Sequence, residues 1–72
     1  MKQPPDEVLG VVRRSRAVEI RVVRRTFHGN ELVDLRLFIA QAGGAPCPTE
    51  KGVALRLHEV AEVIEALRKA AT

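Results

Sequence analysis

The thiol and imidazole side chains, which often act in catalysis and metal binding, are few in this sequence: Cys47, His28 and His58. Cys47 stands between Pro46 and Pro48, and no glycine-rich segment that could stabilise an oxyanion lies beside it. One cysteine and two histidines are too few for a closed zinc site. The sequence therefore predicts no catalytic residue, no metal and no cofactor, and we expect a protein that is not an enzyme.

Positively charged side chains are the second chemical feature. Met1–His28 holds seven basic and three acidic residues, a balance of +4, whereas Gly29–Thr72 carries −1. Because guanidinium groups match the geometry of phosphate oxygens, this asymmetry favours an anionic partner such as nucleic acid. The alternative interpretation is an ordinary solvated surface with a few surplus cations. The residues that could combine charge with a flat ring for single strands are Arg25, Phe27, Arg36, Phe38 and Lys51.

The elements that would position these residues begin with strands. Residues 8–12 are mostly valine and leucine and predict a short edge strand. Ala17–Phe27 is rich in β-branched residues that alternate with charged ones, which predicts a second strand. The alternation slips at Val22–Val23, where we expect a β-bulge or a strong twist. His28–Asn30 supplies a turn, and Glu31–Ala40 returns as a third strand, so that a β-hairpin is the clearest local feature.

The second half of the chain predicts a loop, a strand and a helix. Gln41–Gly52 contains three glycines and two prolines, so we expect a loop there rather than a central strand. Val53–Leu57 alternates and predicts another strand. Beyond it, apolar residues recur at the spacing of an amphipathic helix. These helix residues are Leu57, Val60, Ile64, Leu67 and Ala71.

Length and hydropathy bound the organisation of the chain. With 72 residues we expect one domain over residues 8–72, preceded by a flexible tail over residues 1–7 that carries paired prolines and two carboxylates. A chain this short buries little surface alone, so oligomerisation is expected. No apolar run is long enough to span a membrane, and the N-terminal residues lack the apolar stretch of a signal peptide. We expect a cytoplasmic, nucleoid-associated protein.

Three segments resemble a known family. They are the aromatic-x-Gly turn with its following strand, FHGNELVDLRLF at 27–38; the segment PTEKGVAL at 48–55; and the amphipathic helix. In this order and spacing they resemble the positive-cofactor-four (transcriptional coactivator p15) family, over about residues 18–70. The resemblance implies an α+β fold, in which a four-stranded antiparallel twisted sheet is followed by one C-terminal helix.

The resemblance also implies a homodimer whose helices pack together while the sheets form channels for single-stranded or melted DNA. Phe27 falls where the family places an aromatic ring against bases. Arg36 and Lys51 fall where it places phosphate contacts, and Arg25 falls on a basic position. In the dimer interface we expect the apolar helix residues Val60, Ile64 and Leu67.

The sequence departs from the family pattern at three places. The turn that is lysine-rich in the family is His28–Asn30 here, the strand tryptophan is Ile39, and the lysine before the proline is Cys47. Lost phosphate contacts and a lost stacking surface weaken binding to single strands. A basic arm could compensate, and the possible further contacts are His28, Arg13, Arg14 and Arg16.

The leading hypothesis is non-enzymatic binding of single-stranded or unwound DNA with little sequence preference, in transcription regulation or DNA maintenance. Phosphate contacts carry no base information, and no element resembles a helix that enters a DNA groove. Two alternatives stay open. One is a protein-interaction scaffold of the transcription machinery with weakened DNA binding, and the other is an RNA-binding module that uses the same surface.

Overall fold

The structure, a computed structural model, describes residues 6–71. Four antiparallel strands form one sheet in the order β1-β2-β3-β4, and a helix follows the last strand. This confirms the expected α+β architecture. The first five residues of the predicted tail lie outside the described residues, and its last residue already belongs to the first strand. The elements are β1 (Glu7–Arg13), β2 (Val18–Phe27), β3 (Asn30–Ile39), β4 (Cys47–Arg56) and α1 (Leu57–Ala71).

The β2–β3 hairpin is the longest uninterrupted pairing of the sheet. It runs without a register shift from Val18 opposite Ile39 to Phe27 opposite Asn30. The two residues between the strands, His28 and Gly29, have φ angles of 51° and 79°. Two consecutive positive φ angles give a tight turn whose twist matches that of the flanking strands. The predicted hairpin is confirmed, with Asn30 as the first residue of β3.

The expected bulge lies in β1 instead of β2. In the β1–β2 ladder Val8 pairs with Val23 and Gly10 pairs with Val22, so Leu9 is the extra residue. The β2–β3 register runs straight through the same two valines, and the prediction placed the bulge in the wrong strand. The alternation of β2 slips there because Val23 is buried on the face that carries the charged residues.

The segment 41–52 is not a loop throughout, because β4 begins at Cys47. β4 is an edge strand, and an edge tolerates Pro48, which has no N–H to donate. The hydroxyl of Thr49 donates to the carbonyl oxygen of Leu37 at 2.8 Å and ties this edge to β3. The prediction was wrong because proline and glycine exclude a regular central strand but not an irregular edge.

The irregularity of β4 ends at Gly52. Arg36 pairs with Gly52 and Phe38 with Pro48, so three residues of β4 stand opposite a single residue of β3. A methyl group on Gly52 would lie 2.5 Å from the carbonyl oxygen of Leu35 and 2.9 Å from the Cα of Arg36. Only glycine allows the two backbones to approach this closely.

The hydrophobic core of a single chain is small. Val23 and Val33 are its buried apolar residues among those described, and no described side chain is completely buried. Glu19 and Asp34 are buried as deeply as these valines. The sheet of one protomer therefore depends on its backbone ladders and on paired charges more than on an apolar interior.

Helix α1 follows β4 directly and contacts β3 and β4. Its N-terminus is capped by Glu59, whose carboxylate accepts a hydrogen bond from the backbone N–H of Arg56 at 2.8 Å. None of its described residues is buried. The apolar stripe predicted from the sequence is present, but within one chain much of it remains exposed to solvent.

The close approach at Gly52 predicts that Gly52→Ala destabilises the protein by about 1–3 kcal/mol, as expected when atoms are forced into a packed site. Gly10→Ala is the control, because a methyl group there meets no atom within 4 Å. Urea denaturation followed by circular dichroism, at one fixed protein concentration, measures both variants. Equal stabilities for the two would show that β3 and β4 do not need a glycine at this point.

Candidate nucleic-acid interface

One face of the β2–β3 hairpin carries most of the charged side chains. Because side chains alternate along a strand, the register places every second residue of β2 on the same face as every second residue of β3. We call this the polar face. It consists of Glu19, Arg21, Val23, Arg25 and Phe27 of β2 and Asn30, Leu32, Asp34, Arg36 and Phe38 of β3.

Arg36 is held rigidly on the polar face. Its Nε and Nη2 donate to the two carboxylate oxygens of Asp34, both at 2.9 Å, and its Nη1 donates to the carbonyl oxygen of Thr49 at 2.9 Å. The hydrogen bonds to Asp34 raise the pKa of Arg36, against an opposing effect of desolvation. Arg36 thus carries a fixed charge and ties β3 to β4, and its remaining N–H groups are available to a ligand.

Arg25 and Phe27 lie farther along the same face and are more exposed. Arg25 lies 3.4 Å from a carboxylate oxygen of Asp6, an exposed ion pair. Phe27 is 58% exposed, and its ring meets that of His28 edge to face, with 4.1 Å between the ring centroids. Such an exposed phenyl ring is free to stack on a planar group. His28 therefore contacts the aromatic residue at the end of the hairpin.

Two shallow depressions on the polar face share Arg25 and Asp34 in their linings, and together we call them the groove. One part of about 220 Å³ is lined by Arg25, Asp34, Arg36 and Phe38, among others. A neighbouring part is lined by Arg25 and Phe27. Three of the four residues chosen from the sequence, Arg25, Phe27 and Arg36, are therefore brought together along one groove.

Lys51, the fourth, lies in the irregular segment of β4. It is exposed, and its backbone N–H donates to the hydroxyl of Thr49 at 3.2 Å. The next residue, Gly52, is the register partner of Arg36. Lys51 therefore stands at the β4 edge of the groove without being one of the residues that line it.

The three arginines proposed as a basic arm lie at the β1–β2 turn, at one end of the sheet. Arg13 lies 3.7 Å from Glu19 and donates to the carbonyl oxygen of Arg16 at 3.3 Å. The side chains of Arg14 and Arg16 are exposed. The turn is closed by backbone hydrogen bonds from Arg14 and Ser15 to Val18. These cations therefore belong to an ordered turn and not to a free arm.

Two arginines near the candidate site were missed in the sequence. Arg21 donates from Nε to the carboxylate of Glu19, and its guanidinium lies over the ring of Phe38, 4.4 Å from the centroid. The sequence did contain a signal, because Glu19-Ile20-Arg21 repeats the acid-x-Arg spacing of Asp34-Leu35-Arg36 on the neighbouring strand. Arg56 was also missed. It borders a depression shared with Phe27 and His58, beside the start of α1.

The departures from the family pattern lie at the edges of the polar face or behind it. Ile39 pairs with Val18, on the opposite face of the sheet. Cys47 is exposed at the start of β4, with its Sγ 3.6 Å from the carbonyl oxygen of Ala45. Within residues 6–71 no three metal-ligating side chains cluster, and no helix is long and apolar enough to cross a membrane.

Comparison with known proteins agrees with this fold. Residues 15–66 match the family described as Transcriptional Coactivator p15 (PC4). Two crystal forms of BPSL1147, a PC4 homolog from Burkholderia pseudomallei K96243, superimpose with TM-scores of 0.87 and 0.86 at 28% and 29% sequence identity. The first alignment covers 99% of this chain and 96% of that one, and the second covers 94% and 100%.

A more distant structure shares the fold. The bacteriophage T5 homolog of PC4, described as implicated in recombination-dependent DNA replication, has a TM-score of 0.73 at 16% identity over 93% of this chain and 77% of that one. A search of curated proteins gave no match. Because the family match spans most of the residues, from the β1–β2 turn into α1, this chain belongs to the transcriptional coactivator p15 (PC4) family.

Proposed function

We propose that this protein binds single-stranded or unwound DNA through its polar face, without catalysis and with little sequence preference, in transcription regulation or DNA maintenance. The observation that carries the proposal is the groove in which exposed Phe27 follows Arg25 and the fixed guanidinium of Arg36. A single strand offers phosphates to cations and unstacked bases to an aromatic ring. The homologous folds named above support the proposal.

The contacts divide into two kinds. Arg36 arrives with its orientation already set by Asp34, so little side-chain entropy is lost when it meets a phosphate. Lys51 is exposed, and its ammonium group is a point charge on a flexible stem that can contact a phosphate of the DNA. Phe27 supplies the stacking surface. None of these groups distinguishes one base from another, and low sequence preference follows.

The groove favours DNA over the protein-scaffold alternative. Arginines beside an exposed phenyl ring suit phosphates and unstacked bases, and buried carboxylates hold part of that positive charge in place. Helix α1 is an unsuitable surface for DNA, because it carries three glutamates, at positions 59, 62 and 65, against Arg68 and Lys69. RNA remains an outcome of the experiment below, since the same surface does not exclude a 2′-hydroxyl.

We also propose that the functional unit is a homodimer joined through α1. Ile64 and Leu67 are 44% and 58% exposed in one chain, and Val60 is half-buried beside them. A chain with two buried apolar residues among those described gains much of its stability from covering this stripe. A second copy of α1 offers the same apolar surface.

Fluorescence anisotropy of a labelled mixed-sequence oligonucleotide, as single-stranded DNA, duplex DNA and RNA, tests the proposal. A label is needed because the chain has no Trp or Tyr. We expect the tightest binding to single-stranded DNA, with affinity that falls as salt is raised. Equal affinity for RNA would widen the proposal to both polymers. Absence of binding to all three at low salt would overturn it and direct the search to protein partners.

Two substitutions separate stacking from charge. Phe27→Ala is expected to weaken binding by about 1–3 kcal/mol with little change in salt dependence, because it removes a stacking surface and no charge. Lys51→Ala is expected to reduce the slope of log affinity against log salt by about 0.7, the value for one lost phosphate contact on a single strand. Both are read from salt titrations of the same oligonucleotide.

Lys69→Ala is the matched control for Lys51→Ala, because it removes the same charge from α1. It should leave the slope close to that of the unmodified protein. An equal change in the Lys51 and Lys69 variants would mean that only the net charge of the protein matters. An unchanged affinity in Phe27→Ala would remove that ring from the interface.

The dimer predicts that Leu67→Glu yields protein with the mass of one chain in sedimentation equilibrium, because it places a carboxylate in the apolar stripe. We also expect a lower unfolding temperature, since the stripe is then uncovered. Lys69→Ala changes the net charge by the same amount on the opposite side of the helix and should leave the mass at that of two chains. A monomeric unmodified protein would refute the proposed dimer.

A further inference from the structure

Arg21 and Arg36 are register partners, directly opposite each other on the polar face. Two like charges in this position repel each other across a strand pair. Each is accompanied by a carboxylate two residues earlier on its own strand, Glu19 for Arg21 and Asp34 for Arg36. The same arrangement is thus built twice, once on each strand, and both carboxylates are nearly buried.

The guanidinium of Arg21 is fixed on two sides. Its Nε donates to Glu19, and its plane lies over the ring of Phe38 at 4.4 Å. Its two Nη atoms have no hydrogen-bond partner among residues 6–71. Since no buried side-chain nitrogen or oxygen in this part of the chain lacks a partner, these Nη atoms are open to solvent. Arg21 therefore presents oriented donors that the fold itself does not use.

We propose that Arg21 is a phosphate-binding residue of the polar face and that Glu19 is its positioning residue. This inference rests on the proposed binding of single-stranded DNA. Arg21 would add a phosphate contact to those of Arg25, Arg36 and Lys51, and its side chain is already oriented before DNA binds. The ligand is a phosphodiester of the DNA backbone, which the planar fork of a guanidinium can grip with two N–H groups.

Arg21 and Arg36 contact different phosphates. Each guanidinium is drawn toward the carboxylate on the N-terminal side of its own strand, and the two strands run in opposite directions. The two groups therefore lean away from each other along the sheet. Arg36 also reaches toward β4, where it donates to Thr49. A single DNA strand laid across the polar face would meet Arg36 and Arg21 one after the other.

A purely structural ion pair accounts for these observations less well. Such a pair gains most when both partners are buried and all their donors are used. Here the Glu19 side chain is 6% exposed, whereas that of Arg21 is 26% exposed. The carboxylate is covered and the cation faces outward. This asymmetry keeps a positive charge at the surface while it hides the negative charge that holds it in place.

The double variant Glu19→Gln/Arg21→Met tests the inference. It removes the Glu19–Arg21 ion pair, and with it the longer Arg13–Glu19 contact at 3.7 Å, without changing the net charge. It leaves no unpaired buried carboxylate. Its control is Glu7→Gln/Arg24→Met, which removes an exposed pair from the opposite face of the same strand. Anisotropy titrations with labelled single-stranded DNA at several salt concentrations, and circular dichroism to verify folding, are run on both variants.

We expect the Arg21 double variant to bind about tenfold more weakly, with the salt slope reduced by about 0.7, and the Arg24 control to match the unmodified protein. Binding equal to that of the control would overturn the role of Arg21 while leaving the proposed function intact. If the unmodified protein bound no single strand, the proposed function would fail and this inference with it. The two failures are thus distinguishable.

A second variant tests the inference in case the Glu19→Gln/Arg21→Met variant does not fold. Arg21→Lys keeps the charge and the aliphatic stem but not the planar fork over Phe38. We expect its salt slope to be retained and its affinity to fall severalfold, whereas Arg24→Lys changes neither. If Arg21→Lys behaves like Arg24→Lys, a fixed guanidinium at this position is not part of DNA binding.

Discussion

The pairing of β2 with β3 is the constraint on which the rest of the structure depends. Side chains alternate along a strand, so a slip of one residue would exchange the two faces of the hairpin. Arg21 and Arg36 would then lie on opposite sides, and Phe27 would leave the groove. The turn at His28 and Gly29 fixes the register through its two positive φ angles. The two-residue turn thus determines which side chains lie together on the polar face.

The same pairing explains why a polar face can be partly buried. Glu19 and Asp34 are buried on the polar face, and each pairs with an arginine that is more exposed than itself. Burying a carboxylate costs free energy unless hydrogen bonds compensate, and both carboxylates accept them from guanidinium groups. The apolar surface of α1 is meanwhile left open. The protomer thus uses paired charges where a larger domain would use an apolar core.

Elements that show a local pattern in the sequence could be predicted from it. Features that depend on how two strands are aligned could not. The hairpin and the helix follow from alternation, turn residues and helical spacing, which any single segment displays. The bulge at Leu9 and the irregular edge at Cys47–Gly52 are relations between neighbouring strands. The residue pattern within a single strand does not indicate which of two paired strands carries the extra residue of a bulge.

The candidate site shows the same division. Arg25, Phe27 and Arg36 could be predicted because their residue types suit a single strand and because they fall on positions of the family resemblance. Arg21 was passed over because no family pattern marks it, and because its role appears only once β2 and β3 are aligned. The repeated acid-x-Arg spacing was visible in the sequence. Its meaning, two cations opposite each other with their carboxylates beneath, requires the register.

A face built in this way combines two properties that usually conflict. Arginines on flexible surfaces bind phosphate but lose conformational entropy when they are ordered. Fixing Arg36 by Asp34 removes that cost in advance, yet it also neutralises part of the charge that attracts DNA. The covered position of the carboxylates reduces this loss, because the guanidinium groups lie between them and the solvent. Orientation is thus obtained from buried acids while the exposed surface of the groove remains positive.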